Sequence, residues 1–203
     1  MPSLNVAHVV DRTQAEGPGE RLAVWVQGCP LRCPGCCNPE QLPQVPAASW
    51  SPADLAARAV RAGVEGVSLL GGEPMAQAAG LAEFARDARA AGLSVMVYTG
   101  YTLDELRASP DPGVAALLAQ TDLLLDGRYD RTRPEAGAAA PRRWVGSTNQ
   151  RLHFLTDRYD PADPCFTAPN TVEFHLTPDG LELNGWPAHG AATGRYLLGV
   201  LPR

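Results

Sequence analysis

The chain has 203 residues, a formal net charge of −5 and 45% apolar residues, which predicts a single globular domain with a sizeable core. An acidic balance excludes a nucleic-acid surface, which needs a basic footprint, and no apolar stretch approaches the length of a membrane span. Met1-Pro2-Ser3-Leu4-Asn5 lacks a charged region ahead of an apolar run, so no secretion signal is read and a reducing cytoplasm is expected.

Residues 6–10 (Val-Ala-His-Val-Val) read as a short strand, and Gly17-Pro18-Gly19 as a turn. Residues 22–26 (Leu-Ala-Val-Trp-Val) contain no polar side chain, which predicts a strand buried on both faces, as in a parallel sheet. Its C-terminal end, where α/β folds place their chemistry, leads into Gly28-Cys29-Pro30-Leu31-Arg32-Cys33-Pro34-Gly35-Cys36-Cys37-Asn38-Pro39-Glu40. This stretch holds four of the five cysteines. Cys29, Cys33 and Cys36 are spaced C-x3-C-x2-C. Each iron of a 4Fe–4S cubane takes one outside ligand, normally a thiolate. Three thiolates on one loop leave the fourth iron open, and an open position signals catalysis rather than structure. Zinc is the alternative occupant, although structural zinc sites pair two distant C-x2-C knuckles and no second knuckle is present. A disulfide framework needs cysteines spread along a small secreted chain. Cys37 adjoins Cys36 and reads as a neighbour rather than a ligand. Cys165 reads as a small buried hydrophobe, and His8, His153, His175 and His189 as ordinary, scattered histidines.

Downstream, strands and helices alternate. Ser51 and Pro52 open a helix that Gly63 ends. Residues 64–70 form a strand closing on Gly71-Gly72-Glu73-Pro74; two glycines let a backbone approach a ligand closely, and Glu73 adds an acceptor, though a Gly-Gly turn alone is often no more than a turn. Residues 78–91 are an amphipathic helix with Leu81, Phe84 and Ala88 on one face. A strand over residues 93–98 ends at Tyr98-Thr99-Gly100, and Thr102 with Glu105 makes a capping box for a short helix. A helix is predicted over residues 114–120 and a strand over residues 122–128, bearing Asp126 and Arg128 at its end. Residues 127–143 carry five arginines without periodicity, as a docking or lid loop would, or a solvated loop of no consequence. Residues 151–155 form a strand, and residues 172–176 and 181–183 around Pro178-Asp179-Gly180 signal a C-terminal hairpin.

The cysteine loop resembles that of the radical S-adenosylmethionine (SAM) enzymes. The wider wording, from Glu16-Gly17-Pro18-Gly19 to Asn38-Pro39-Glu40, resembles the branch of 4Fe–4S single-cluster domains that holds the activating proteins of anaerobic ribonucleotide reductase. Gly35 stands where many members carry an aromatic residue near the adenine. The resemblance implies an incomplete, curved (β/α) barrel of radical SAM type, here with a C-terminal β-hairpin. One domain would fill residues 1–203, with a core over about residues 5–156 and an extension over about residues 157–203. It implies that Cys29, Cys33 and Cys36 hold the cluster and that no other catalytic residue is assigned. It also implies that Gly71, Gly72, Glu73 and Pro74 meet the SAM amino group and that Tyr98 and Thr99 lie near the ribose. Asp126 and Arg128 would serve the SAM carboxylate, with a monovalent cation or Arg128 between the two carboxylates. Strand-end turns are the competing readings of Tyr98-Thr99 and of Asp126-Gly127.

The activity implied is reductive cleavage of SAM to a 5'-deoxyadenosyl radical for hydrogen abstraction, an oxidoreductase chemistry. The electron donor would be a flavodoxin or ferredoxin, and the target the glycine of a large glycyl-radical enzyme such as anaerobic ribonucleotide reductase. The alternatives are a radical SAM enzyme acting on a small molecule or peptide in biosynthesis, and a non-enzymatic iron–sulfur or zinc protein.

Overall fold

The computed structural model describes residues 3–135, 138, 142–177 and 180–185. Seven strands, β1 (Leu4–Thr13), β2 (Arg21–Val26), β3 (Ala48–Trp50), β4 (Gly66–Gly71), β5 (Ser94–Tyr98), β6 (Leu123–Asp126) and β7 (Arg151–Phe154), form one sheet in the order β3-β1-β2-β4-β5-β6-β7. The central strands β2, β4, β5 and β6 run parallel, while on one side β1 is antiparallel to β2 and β3 to β1, and on the other β7 is antiparallel to β6. Alternation with helices thus marks the parallel centre, and it ends at β6, after which residues 127–150 lead to the antiparallel β7.

The helices α1 (Pro52–Ala62), α2 (Ala78–Ala90), α3 (Leu103–Arg107) and α4 (Pro112–Leu118) begin and end on local chemistry. Ser51 Oγ accepts the Asp54 N–H at 3.1 Å, and Gly63 takes the left-handed conformation just past α1. Both halves of the Thr102–Glu105 capping box form. Helix α4 starts at Pro112, two residues before its apolar run, because Asp111 caps the Gly113 N–H at 2.7 Å. Strand β6 stops at Asp126, short of the predicted 128, because Gly127 leaves extended geometry with φ 100°.

Both faces of the parallel strands are buried, which is why these strands read as apolar runs. Leu22, Val24, Val67, Leu69, Val95, Val97 and Leu124 face the helices and pack with Leu55, Leu81, Phe84 and Leu117. Their opposite-facing neighbours Ala23, Trp25 and Leu70 form an inner cluster, and Met96, Leu123 and Leu125 pack beneath Trp144, Val145 and Phe166. The inner face is closed at the start of β2 by Arg21, which is 0% exposed. Its guanidinium donates to Ser68 Oγ, Pro18 O, Ser94 Oγ, Tyr159 Oη and Val67 O at 2.6–3.2 Å. A Cβ at Gly66 would stand 2.5 Å from that guanidinium, and one at Gly17 2.7 Å from its Cδ, so the Gly17-Pro18-Gly19 segment is shaped around a buried arginine. Strands β8 (Val172–Thr177) and β9 (Gly180–Gly185) pair antiparallel. Glu173 ties β8 to the end of β1, accepting from Thr13 Oγ1 at 2.6 Å and Gln14 N at 2.8 Å. Residues 186–203, His189 among them, lie outside the described residues, as do Pro178 and Asp179. Among the described residues no helix is long and apolar enough to cross a membrane.

Candidate functional site

Because β2, β4, β5 and β6 are parallel neighbours, the loops leaving their C-terminal ends meet at one edge of the sheet. The loop after β2 carries the cysteines and curls through positive φ at Gly28 (97°), Arg32 (50°) and Gly35 (78°). Its stem is fixed by Gly28 N–H to Gln41 O at 2.9 Å and Cys29 N–H to Leu42 O at 3.2 Å. Cys29 is buried, Cys33 and Cys36 half-buried and Cys37 exposed, and all are free thiols. Burial raises the Cys33 thiol; a backbone hydrogen bond from Tyr129 and the charge of Arg128 act against that, and Cys36 and Cys29 lie near enough to add to the rise. Cys36 shares a hydrogen bond with Cys37, which holds Cys36 low and pushes Cys37 up. Among the described residues no group of three His, Cys, Asp or Glu side chains is already gathered to hold a metal ion. The donor chemistry nevertheless fits a cluster with one open corner: three free thiols on one loop, in one another's fields, beside a guanidinium.

The turn after β4 lies directly beneath this loop. Glu73 N–H donates to Gly28 O at 3.0 Å and Gly72 N–H to Val26 O at 2.8 Å. A Cβ at Gly72 would stand 2.3 Å from Gly28 O, and one at Gly71 2.6 Å from Val26 N. What the glycine pair admits is therefore the cysteine loop's own backbone, not only a ligand. Glu73 is 1% exposed. Its Oε1 accepts from Met75 N at 2.9 Å and Thr99 Oγ1 at 2.8 Å, and its Oε2 from Gly100 N at 2.9 Å. Burial raises its pKa, while those three hydrogen bonds and Arg128 act to lower it. Pro74 starts the short 3-10 turn that Glu73 caps. Gly100 is the crossing point: a Cβ there would meet Leu31 Cδ1 of the cysteine loop at 2.4 Å, Glu73 Oε2 at 3.6 Å and Arg128 Cγ at 3.8 Å.

The structure thus brings Gly71, Gly72, Glu73, Pro74, Thr99 and Arg128 to the cysteine loop. Two residues expected there sit elsewhere. Tyr98 points into the inner core, where its hydroxyl is buried among Glu16, Arg21 and Arg143, because it is one residue out of phase with Thr99 on an extended strand. Asp126 is 3% exposed and spends its Oδ2 on the Leu103 N–H at 2.6 Å. His153 Nε2 is 2.9 Å from the same oxygen but makes no hydrogen bond with it. Arg128 pairs with Glu105 at 3.1 Å and lies over the Tyr101 ring at 5.5 Å. Three further arginines of the 127–143 segment are held in place, Arg133 on Asp130, Arg142 on Glu135 and Arg143 over Trp144, while Arg131 is exposed. Cys165 is half-buried against the Trp144–Phe166 cluster.

Sequence reasoning missed Leu31, Gly100 and Tyr129. Gly100 was legible as a glycine following a strand end; Leu31 and Tyr129 gave no signal, since both contacts are made only by the fold. A Cβ at Gly35 would meet Arg131 Cδ at 3.3 Å and Tyr129 Cε1 at 3.7 Å.

Residues 15–153 match the family of 4Fe-4S single cluster domains. Curated relatives include the anaerobic ribonucleoside-triphosphate reductase-activating proteins of Vibrio cholerae serotype O1, 30% identical over 151 residues (69% of this chain, 91% of that protein), and of Salmonella typhi, 31% identical over 150 residues (68% and 91%). That of Enterobacteria phage T4 is 26% identical over 157 residues (70% and 88%). Among solved structures, that of QueE from Escherichia coli shows a partial likeness, with TM-score 0.43 and 22% identity over 49% of this chain and 54% of that one.

Proposed function

The chain belongs to the 4Fe-4S single cluster domain family, and from that premise we propose that it is a radical SAM activase, which prepares a glycyl-radical enzyme such as anaerobic ribonucleotide reductase. The observation that carries the reading is the stacking of the cysteine loop on the Gly71-Gly72-Glu73 turn, Gly28 O to Glu73 N–H at 3.0 Å, in a chain whose relatives named as activating proteins are covered over about nine-tenths of their length. Cys29, Cys33 and Cys36 would hold the cluster. Bound there, the cluster supplies the electron that cleaves SAM to methionine and a 5'-deoxyadenosyl radical able to take a hydrogen atom.

The chain's own residues divide the remaining work. The turn of residues 71–74 offers backbone carbonyls and the Glu73 carboxylate to the SAM ammonium; the three hydrogen bonds Glu73 accepts leave it about one free acceptor position. Thr99 and Gly100 hold that carboxylate still. Asp126 is taken up by the Leu103 N–H, so Arg128, rather than a monovalent cation at Asp126, is the group we assign to the SAM carboxylate, released from Glu105 to reach it. The parallel sheet, with residues 142–166 across its inner face, would be an incomplete (β/α) barrel whose open side admits the target's glycine loop. Residues 157–203 would be an extension of one domain. A flavodoxin or ferredoxin would deliver the electron.

The test is anaerobic reconstitution with iron and sulfide, reduction with dithionite, and measurement of 5'-deoxyadenosine formed from SAM. The reading expects about four irons per chain and SAM-dependent product, both lost in Cys29→Ala, Cys33→Ala and Cys36→Ala but kept in Cys37→Ala. Zinc without iron after anaerobic work-up would overturn it.

A further inference from the structure

A turn that the proposed chemistry does not use, residues 146–150, grips the segment lying over the cysteine loop. Gln150 Nε2 donates to Gly127 O at 2.9 Å, and Asn149 Nδ2 to Arg128 O at 2.8 Å. Ser147 Oγ accepts the Asp130 N–H at 3.0 Å. The turn is itself internally braced, since Gln150 Oε1 accepts from Gly146 N at 3.1 Å and Ser147 N at 3.0 Å. Ser147 is 0% exposed. The backbone N–H of Tyr129, in the same stretch, bonds to the Cys33 thiol. The Tyr129 ring is wedged between two glycines: a Cβ at Gly146 would stand 3.2 Å from Cδ2, and one at Gly35 3.7 Å from Cε1. Backbone and ring both press on the cysteine loop.

The direction of that N–H is set by covalent geometry. Arg128 C=O and Tyr129 N–H belong to one planar trans peptide, so the two point in opposite directions. Whatever fixes the carbonyl end fixes the amide end. The group on the carbonyl end is Asn149.

We propose that Asn149, by holding the Arg128 carbonyl, is a positioning residue that aims the Tyr129 N–H at the Cys33 sulfur and so makes the cluster easier to reduce. Hydrogen bonds to ligating sulfurs and nearby positive charge favour the more negative, reduced cluster, and reduction potentials respond to both. The same peptide carries Arg128 on its other flank, so one clamp places both a donor and a cation at the cluster's edge. This inference rests on the cluster reading above.

The experiment is a redox titration of the reconstituted protein followed by electron paramagnetic resonance, comparing wild type with Asn149→Ala, Gln150→Ala and Thr148→Ala. Thr148 is exposed and bonds through its backbone alone. Asn149→Ala and Gln150→Ala should shift the midpoint to more negative potential at unchanged iron content, Gln150→Ala with a lower unfolding midpoint because it strands the Gly146 and Ser147 N–H donors, and Thr148→Ala should match wild type. Fully loaded Asn149→Ala with the wild-type midpoint overturns the proposal. A second readout needs no variant. With 15N-tyrosine incorporated, the reduced wild-type cluster should show a hyperfine coupling to a tyrosine backbone nitrogen, and absence of that coupling also overturns it. A wild-type chain that takes up no cluster would instead sink the reading beneath.

Discussion

At the scale of single residues the site is decided by close backbone approach. A Cβ at Gly72 would stand only 2.3 Å from Gly28 O, and a carbonyl on a braced loop cannot swing aside as a side chain can. Gly72→Ala should therefore lower stability by about 1–3 kcal/mol, the usual cost of overpacking, and reduce iron uptake because the cysteine loop is what moves. Denaturant midpoint and iron per chain measure the two effects; wild-type values of both would show that the loop yields freely. Glu73→Gln is a finer probe. It keeps shape and the bonds to Oε1, but turns an amide N–H toward the Gly100 N–H that now donates to Oε2. A buried donor left unpaired costs about 1–3 kcal/mol, so the unfolding midpoint should fall while wild-type circular dichroism is retained. The identity of Glu73 as a polar residue beside a Gly-Gly turn was legible from the sequence. Its three internal partners were not, since Thr99 and Gly100 come from another strand end.

At the scale of elements, the strands and helices around the site follow from period and caps. Residues 22–26 were legible as a buried parallel strand because no side chain in them is polar, and α1 and α3 because Ser51, Pro52 and Thr102 announce them. The antiparallel direction of β7 was not legible, since a short apolar run carries no sign of direction. The partner of Asp126 was not legible for a related reason. A carboxylate at a strand end can serve a ligand or the helix next to it, and here it holds the first N–H of α3. Asp126→Ala should then cost about 1–3 kcal/mol of stability by stranding the Leu103 donor, with SAM affinity close to wild type. Unchanged stability with weakened SAM binding would return Asp126 to the ligand. The Arg-rich segment was legible only as a loop; its charges are spent largely on Asp130, Glu135 and the Trp144 ring, so docking driven by free arginines is not expected from it.

At the scale of the molecule, the inner face of the sheet is closed by polar groups. Arg21 satisfies its donors on hydroxyls and carbonyls, and Glu16 accepts from Gly185 N at 3.0 Å. Burial pushes the Glu16 carboxyl up from 4.5 to about 8. The unfolded chain releases that proton near 4.5 and the folded chain near 8, so between them the folded state binds more protons and stability must fall as pH rises. The loss approaches about 1.4 kcal/mol per pH unit at most. Glu16→Gln keeps an acceptor for Gly185 and should flatten this slope between pH 5 and 8, measured by urea unfolding; the same slope in the variant would place the titration elsewhere. The proposed chemistry gathers at the ends of β2, β4, β5 and β6. The most direct test of that chemistry's purpose is anaerobic incubation of the reduced, reconstituted protein with SAM and an anaerobic ribonucleotide reductase, watched by electron paramagnetic resonance. A glycyl radical on the reductase, absent without SAM and absent with Cys33→Ala, is the predicted result. No glycyl radical, together with deuterium transfer from a small molecule or peptide into 5'-deoxyadenosine, would contradict the activase and leave a biosynthetic enzyme.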